Sequence, residues 1–176
     1  SKAQPAEKGS VEFDDVSFRY SEHSEAVLEH VSFKAKAGDT VAFIGSTGSG
    51  KSTLVNLIPR FYDATQGNVL VFGKPVKEQD MESLRSQIAV VPQKAVLFAG
   101  TIRENMKWGK KDATDDEIIA ACKAAQAHDF IMRQPNGYDT DLSQGGLNLS
   151  GGQKQRLCIA RAMIKSPKIL ILDDST

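Results

Sequence analysis

The stretch GSTGSGKST, residues 45–53, decides the fold of this chain. It satisfies the pattern G-x-x-x-x-G-K-[ST] at Gly45, Gly50, Lys51 and Ser52, and it lies between an apolar run, TVAFIG, and a helix-forming segment. Glycines let the backbone curl so that successive N–H groups point at phosphate oxygens, and the helix N-terminus adds its positive end to the same place. The sequence therefore predicts a site for the phosphates of a nucleotide.

The residues of this stretch are expected to form the phosphate site, and two of them have individual roles. The Lys51 ammonium supplies a point charge for the outer phosphates, and the Ser52 hydroxyl is placed to ligate Mg²⁺. An ordinary glycine turn before a helix has no need of Lys-Ser-Thr at the helix start, which argues against a purely structural turn. The expected phosphate-site residues are Gly45, Ser46, Thr47, Gly48, Ser49, Gly50, Lys51, Ser52 and Thr53.

Composition limits the kind of protein this is. The chain has 176 residues, enough for one domain with a core, and its 22 basic and 22 acidic residues balance to a net charge of +0. This balance gives no support for a nucleic-acid partner. Cys122 and Cys158 have no partner at metal-ligand spacing, which predicts buried, reduced thiols. No apolar run approaches the ~18 residues that span a bilayer, so we expect this stretch of chain to be soluble.

Hydrophobic patterns predict an α/β fold. VEFDDVSFRY and HVSFKAKA alternate apolar and polar residues, as half-buried antiparallel strands do, whereas TVAFIG, IAVV and KILILDD are apolar without alternation. The latter three are expected to be strands covered on both faces. Helices are expected from the phosphate loop to about Arg60, over DMESLRSQ, from Thr101 to about Arg133, and from Ser150 to a break at Pro167. Buried strands that alternate with helices place an antiparallel piece first and a helical insert in the middle.

A second motif, LSGGQ at residues 149–153, opens the last predicted helix. With GSTGSGKST, VVPQ and LILDD in this order, the chain from about Val11 to Thr176 resembles the nucleotide-binding domain of ATP-binding cassette (ABC) transporters. The resemblance implies a P-loop NTPase fold with a mostly parallel core sheet, an N-terminal antiparallel β subdomain and a helical insert. It divides the chain into a linker or tail (1–10), an ATP-binding core with the β subdomain (11–92), a glutamine loop with the helical subdomain (93–149), and the signature helix with the second nucleotide strand (150–176).

The resemblance also assigns roles in the chain's own ATP site. Tyr20 matches the aromatic residue that stacks on adenine, and Gln93 matches the glutamine that reaches Mg²⁺ and the attacking water. Asp173 matches the acid that holds Mg²⁺ through water, and Asp174 follows it where the family has a glutamate that polarises the attacking water. The implied catalytic residues are thus Lys51, Gln93 and Asp174, and the implied metal ligands are Ser52, Gln93 and Asp173.

The signature residues are implied to serve a second subunit. In the family they contact the γ-phosphate of ATP held by the opposite domain, so that two domains enclose two nucleotides head to tail. The physical basis is again a helix N-terminus that offers N–H groups to an anion, with glycines that permit close approach. These residues are Leu149, Ser150, Gly151, Gly152 and Gln153.

The segment VLFAGTIRENMKWG, residues 96–109, resembles the part of ABC exporters that faces the membrane domain. The implied partners are a second nucleotide-binding domain and a transmembrane domain at the cytoplasmic face of the cell membrane, with no nucleic acid. Because the family's domain continues beyond the second acid, the resemblance implies that the C-terminal part of the domain is missing here. We therefore expect this 176-residue chain by itself to turn over ATP negligibly.

Two departures from the family pattern bear on function. Exporters carry T-x-V-G-E-x-G before the signature, whereas residues 140–146 are TDLSQGG, with Ser143 and Gln144 in place of glycine and glutamate. The other departure is Asp174, which is one methylene shorter than glutamate. Because catalysis is sensitive to displacements of about 1 Å, Asp174 is expected to be a poor base.

Asp174 leaves several functions open. In one, the chain is the weaker-site subunit of a heterodimeric exporter and lends its intact signature to a faster partner. In another, the exporter is a homodimer in which Asp174 suffices. The extreme case of the weaker-site subunit is a regulatory subunit that does not hydrolyse ATP and uses it only to hold the dimer together. Outside transport, the same fold occurs in soluble ATPases that act on nucleic acid or ribosomes.

Overall fold

The computed structural model of this chain describes residues 9–39, 41, 50–143 and 147–173, and only the backbone of Lys51 and Ser52. The described residues form two compact units, divided between Ile88 and Ala89. Helices and strands occur in both units, which confirms a mixed α/β fold. The predicted strand TVAFIG lies outside the described residues apart from Val41, which is in neither a helix nor a strand.

A four-stranded antiparallel sheet dominates the first unit. Its strands are β1 (Val11–Phe18), β2 (Leu28–Ala35), β3 (Gln66–Val71) and β4 (Lys74–Pro75), in the order β2-β1-β3-β4. All three pairings are antiparallel, as the alternating pattern predicted for the first two strands. The buried side chains of β1 include Phe13 at 1% and Val16 at 0% exposure. The pairing of β1 with β2 is irregular between these two residues, which allows residues three apart both to face the core.

Two short helices complete the first unit. They are α1 (Lys51–Leu57) and α2 (Met81–Ser86). The Asp80 carboxylate caps α2 by accepting the Ser83 N–H at 2.9 Å. From α2, the Arg85 guanidinium donates to the carbonyl oxygens of Pro59 at 3.0 Å and Arg60 at 2.8 Å, just beyond α1. These bonds tie α2 to the turn that follows α1.

The second unit is mostly helical. Its described α-helices are α3 (Ile102–Lys107), α4 (Asp115–Ala124), α5 (His128–Met132) and α6 (Gly151–Met163). The strands described here are β5 (Ile88–Pro92), which begins at the last residue of the first unit, and β6 (Ile169–Asp173). Thr101, Thr114 and Ser150 each begin a helix with a capping box, in which the cap hydroxyl and a Glu or Gln three residues later exchange hydrogen bonds with the backbone. The helices pack around a common apolar core that includes Ile102, Met106, Ile118, Ile131 and Leu157.

The strands β5 and β6 differ from their prediction. Val91 and Ile171 are buried, but Val90 is 39% exposed and Leu172 is 53% exposed. The prediction that both strands are covered on both faces is therefore wrong for the described residues. In that part of the chain β5 and β6 pair only with each other. Their alternate side chains point to opposite faces, and those on one face are in contact with solvent. No described helix has the length and apolarity that a bilayer crossing requires.

Both cysteines are buried and form no disulfide bond, as predicted. Burial raises the pKa of the Cys122 thiol from its ordinary value of 9.0 to about 11, and the Tyr138 hydroxyl nearby opposes that rise. The Tyr138 hydroxyl lies 2.8 Å from Nδ1 of His128. Burial also raises the pKa of the Tyr138 hydroxyl. Burial therefore keeps the Cys122 thiol and the Tyr138 hydroxyl protonated well above neutral pH.

The raised pKa of Cys122 predicts a loss of stability in alkali. The folded protein keeps the Cys122 proton up to a pH of about 11, whereas the unfolded chain releases it from about 9.0. Stability from this group is thus complete below pH 9.0 and falls as the pH rises through the folded value. Urea unfolding at several pH values should show a steeper alkaline loss for the wild type than for Cys122→Ala. Parallel losses would contradict this assignment.

Candidate functional site

The phosphate loop is described from Gly50 onward, and residues 45–49 lie outside the described part of the chain. Gly50 precedes α1 with a φ of +90°, in the left-handed region. A Cβ at this position would lie 2.9 Å from the carbonyl oxygen of Val27, so both conformation and space require glycine. Lys51 and Ser52 then form the first residues of α1, where the sequence predicted the helix to begin.

Tyr20 is joined to this helix by a hydrogen bond. Its hydroxyl lies 2.8 Å from Oγ1 of Thr53, whose side chain is buried at 4% exposure. The rings of Phe18 and Tyr62 pack nearly perpendicular to the Tyr20 ring, with centroids 4.8 Å and 5.5 Å away. The ring nevertheless remains 58% exposed. It is therefore an oriented aromatic surface beside α1, suited to stacking against a planar base.

Gln93 and Asp173 belong to the second unit. Gln93 is exposed and directly follows β5, and Asp173 is the last residue of β6 and is half-buried. Both side chains offer oxygen atoms, which are the ligands that Mg²⁺ prefers. The residue types thus fit the implied metal. Asp174 lies outside the described residues.

The signature residues form the start of α6. The Ser150 hydroxyl accepts the Gln153 N–H at 3.2 Å, and the side-chain Oε1 of Gln153 accepts the Ser150 N–H at 3.0 Å. Leu149 is buried in the core. Gly151 and Gly152 are exposed, and a Cβ built on either would meet nothing within 4 Å. Internal packing does not require these glycines, although glycine costs a helix about 1 kcal/mol relative to alanine. Because these two residues have no side chains, the N-terminus of α6 is accessible to an anion that approaches from solvent or from another molecule.

An exposed aromatic pair lies in the segment that resembles the membrane-facing part of exporters. Trp108 is 67% and Phe98 41% exposed, and their ring centroids are 4.8 Å apart. The Arg161 guanidinium lies over the Phe98 ring at 5.2 Å and donates to the Val96 carbonyl oxygen at 2.7 Å. A large exposed aromatic surface of this kind is typical of an interaction site.

A groove of about 470 Å³ adjoins this pair, and we call it the apolar groove. Its walls are contributed by β5, the segment that follows it, Trp108 and α6. Three cations and no acid line it, namely Lys94, Arg161 and Lys165. Nη1 of Arg161 is buried and has no hydrogen-bond partner among the described residues. The groove therefore combines apolar walls with a basic lining.

Sequence reasoning missed Asn105, which organises this segment. Asn105 is fully buried on the side of α3 that also presents Ile102 and Met106 to the core. Its Oδ1 accepts the Phe98 N–H at 2.8 Å, and its Nδ2 donates to the carbonyl oxygens of Phe98 at 2.9 Å and Thr101 at 3.1 Å. The available signal was a polar residue within an apolar helical stripe, which indicates a buried hydrogen-bond partner.

Comparison with known proteins gives concordant results. The sequence profile of the ABC transporter family matches residues 28–176. An uncharacterized ABC transporter ATP-binding protein of Bacillus subtilis is 56% identical over 168 residues, which cover 96% of this chain and 29% of that protein. A candidate multidrug export ATP-binding/permease protein of Staphylococcus aureus is 49% identical over 176 residues, which cover 99% of this chain and 30% of that protein.

A solved structure is also similar to this chain. The structure of a bacterial Atm1-family ABC exporter with ATP bound matches with a TM-score of 0.77 and 44% identity. The match covers 93% of this chain and 29% of the exporter chain. This chain therefore spans about three tenths of the length of the relatives that it matches.

The Asn105 network predicts a large cost for an apolar replacement. Asn105→Leu keeps the volume but leaves the N–H and C=O groups of Phe98 without their partner, so unfolding should become easier by about 1–3 kcal/mol. Urea unfolding measures this loss. Asn136→Leu is the matched control, because Asn136 is exposed in the same unit and its side chain makes no capping bond. Equal losses for the two variants would contradict the assigned role.

Proposed function

The chain belongs to the ABC transporter family, and from this premise we propose that it is the ATP-binding and ATP-hydrolysing motor domain of an ABC exporter. It has the family's P-loop fold, with a mixed α/β organisation and an N-terminal antiparallel β subdomain. One observation carries the ATP part of the proposal. Thr53, in the helix that follows the phosphate loop, is hydrogen-bonded to Tyr20, whose exposed ring offers a stacking surface for adenine.

In this proposal the chain's own residues divide the work on ATP. The backbone of the phosphate loop holds the phosphates, and the Gly50 position, which no Cβ could occupy, lets the backbone approach them. Lys51 supplies positive charge to the outer phosphates, and Ser52, Gln93 and Asp173 would hold Mg²⁺, which neutralises charge on the β- and γ-phosphates when bound. Gln93 and Asp174 orient the attacking water, and Asp174 accepts its proton.

A second nucleotide-binding domain is the proposed partner at the signature. Gly151 and Gly152 are exposed and leave open space at the N-terminus of α6, as close approach by a phosphate requires. The Ser150 hydroxyl, already oriented by the capping box, lies beside them. We infer that two domains meet head to tail, so that this signature completes the ATP site of the partner.

A transmembrane domain is the other proposed partner, at the cytoplasmic face of a membrane. The exposed pair of Phe98 and Trp108 and the apolar groove beside it support docking of an apolar segment. Two relatives support this assignment, since one is named for multidrug export and the other is an exporter. The balanced charge of the chain gives no comparable support for a nucleic-acid partner.

Asp174 bears on the rate of the chain's own site. Its carboxylate is one methylene shorter than that of glutamate, which places the base about 1 Å farther from the water that it must polarise. We propose that this site is slow and that the chain is the weaker-site subunit of a heterodimer. The intact signature then serves the faster site of the partner.

The Asp174 proposal predicts a gain of activity. In the full-length protein with its partner subunit, Asp174→Glu should raise Mg²⁺-dependent phosphate release roughly 10- to 100-fold at this site. Lys51→Ala in the same protein serves as the inactive reference, and its rate is subtracted. Equal rates for the wild type and Asp174→Glu would favour a symmetric motor in which aspartate suffices. Absence of any Lys51-dependent release would remove the ATPase proposal itself.

The signature proposal predicts that stability and activity respond in opposite directions. Gly151→Ala should leave α6 equally stable or more stable, by up to about 1 kcal/mol, because nothing in the described chain meets the new Cβ. Phosphate release at the partner's site should fall roughly 10- to 100-fold, because the methyl group holds the γ-phosphate away. Lys123→Ala, at an exposed position of α4, is the control. A rate unchanged from the control would exclude phosphate contact at this position.

A further inference from the structure

The loop that precedes the signature helix pairs with the start of α3. The Ile102 N–H donates to the Thr140 carbonyl oxygen at 3.0 Å, and the Leu142 N–H donates to the Gly100 carbonyl oxygen at 2.8 Å. Thr101 and Asp141 form an antiparallel bridge between them. The segment 100–102 and the loop 140–142 therefore behave as one short ladder within the second unit.

Ser143 extends this ladder through its side chain. The Gly100 N–H donates to Oγ of Ser143 at 3.1 Å, and the Ser143 N–H donates to Oδ1 of Asp141 at 2.6 Å. A hydrogen bond from the Ser143 hydroxyl, with a smaller contribution from its N–H, lowers the pKa of the Asp141 carboxyl. The Ser143 hydroxyl thus accepts from the Gly100 N–H while the Ser143 N–H donates to Asp141, so this one residue joins both sides of the ladder.

The geometry at Gly100 is also restricted. Its φ is +120°, and a Cβ there would lie 3.0 Å from the Glu104 carboxylate. Glycine is therefore favoured at this position, and its N–H is bound by the Ser143 hydroxyl. A glycine at position 143 would offer no side-chain acceptor for that N–H.

The ladder connects the segment that carries the exposed aromatic pair with the loop that leads to the signature residues. On one side, Asn105 ties Phe98 and Thr101 to α3, and Phe98 belongs to the exposed aromatic pair. On the other side, the Leu147 N–H donates to the Asp141 carbonyl oxygen at 3.0 Å, three residues before Ser150. A displacement of the aromatic pair can therefore reach the signature through hydrogen bonds of described residues.

We propose that Ser143 is a positioning residue whose hydroxyl fastens the loop before the signature helix to the segment that carries the exposed aromatic pair. This inference rests on the proposed function, because it assigns Ser143 to the link between membrane docking and the partner's ATP site. A residue without a side-chain hydroxyl at position 143 could not make this link.

Hydrogen exchange in the full-length protein tests the link directly. Ser143→Ala removes the acceptor of the Gly100 N–H, so exchange of that amide should accelerate about 2- to 10-fold. Ser143→Thr keeps the hydroxyl and should restore slow exchange. Ser86→Ala is the matched control, because Ser86 is an exposed serine of the first unit whose hydroxyl donates to the Ser83 carbonyl oxygen. Exchange at Gly100 that is equal in the wild type and Ser143→Ala would overturn the proposal.

A kinetic measurement tests the positioning role. In the full-length protein with its partner, Ser143→Ala should lower the maximal rate of phosphate release about 2- to 10-fold, because the signature is less well placed. Binding of a non-hydrolysable ATP analogue to the chain's own phosphate loop should not change, and Ser143→Thr should recover the rate. Faster exchange without a change in rate would overturn the positioning role. Absence of ATP turnover in the wild type would instead overturn the proposed function, while the exchange result would still decide whether the link exists.

Discussion

The buried amide of Asn105 is the contact on which the functional face of the second unit depends. A residue with no solvent exposure must satisfy its polar atoms internally, and Asn105 does so by binding both backbone groups of Phe98 and the carbonyl oxygen of Thr101. These bonds set the path of the chain between β5 and α3. The position of the aromatic pair, one wall of the apolar groove and the ladder to the signature loop all follow from that path.

Local sequence determines the beginnings of the main helices. Thr101, Thr114 and Ser150 each meet a Glu or Gln three residues later, and all three pairs form capping boxes. A capping box needs only four consecutive residues, so its formation can be predicted from sequence. The alternation in β1 and β2 is equally local, and it identified both strands and their antiparallel pairing. These are the features for which sequence and structure agree most closely.

Contacts between residues far apart in the chain escaped prediction. Ser143 looked like a simple departure from a family pattern, because its partner, Gly100, lies 43 residues earlier. The contact of the Arg161 guanidinium with the Phe98 ring joins residues that are far apart in the sequence, so no local pattern predicts it. The partners of Asn105 likewise cannot be identified from the sequence. The strands β5 and β6 show the converse error. Their apolar runs predicted full burial, but burial depends on which elements cover a strand, and the composition of the strand does not determine that.

The contact of Arg85 with the end of α1 also bears on how the chain folds. A helix of 7 residues is too short to be stable in water by itself, because the cost of its first turn is not recovered. The Arg85 guanidinium binds the carbonyl oxygens of Pro59 and Arg60, which directly follow this helix. It also lies over the Phe61 ring at 4.8 Å. The helix that presents the phosphate loop therefore forms together with the docking of α2. The helix thus relies on a contact with α2 that only the folded first unit provides.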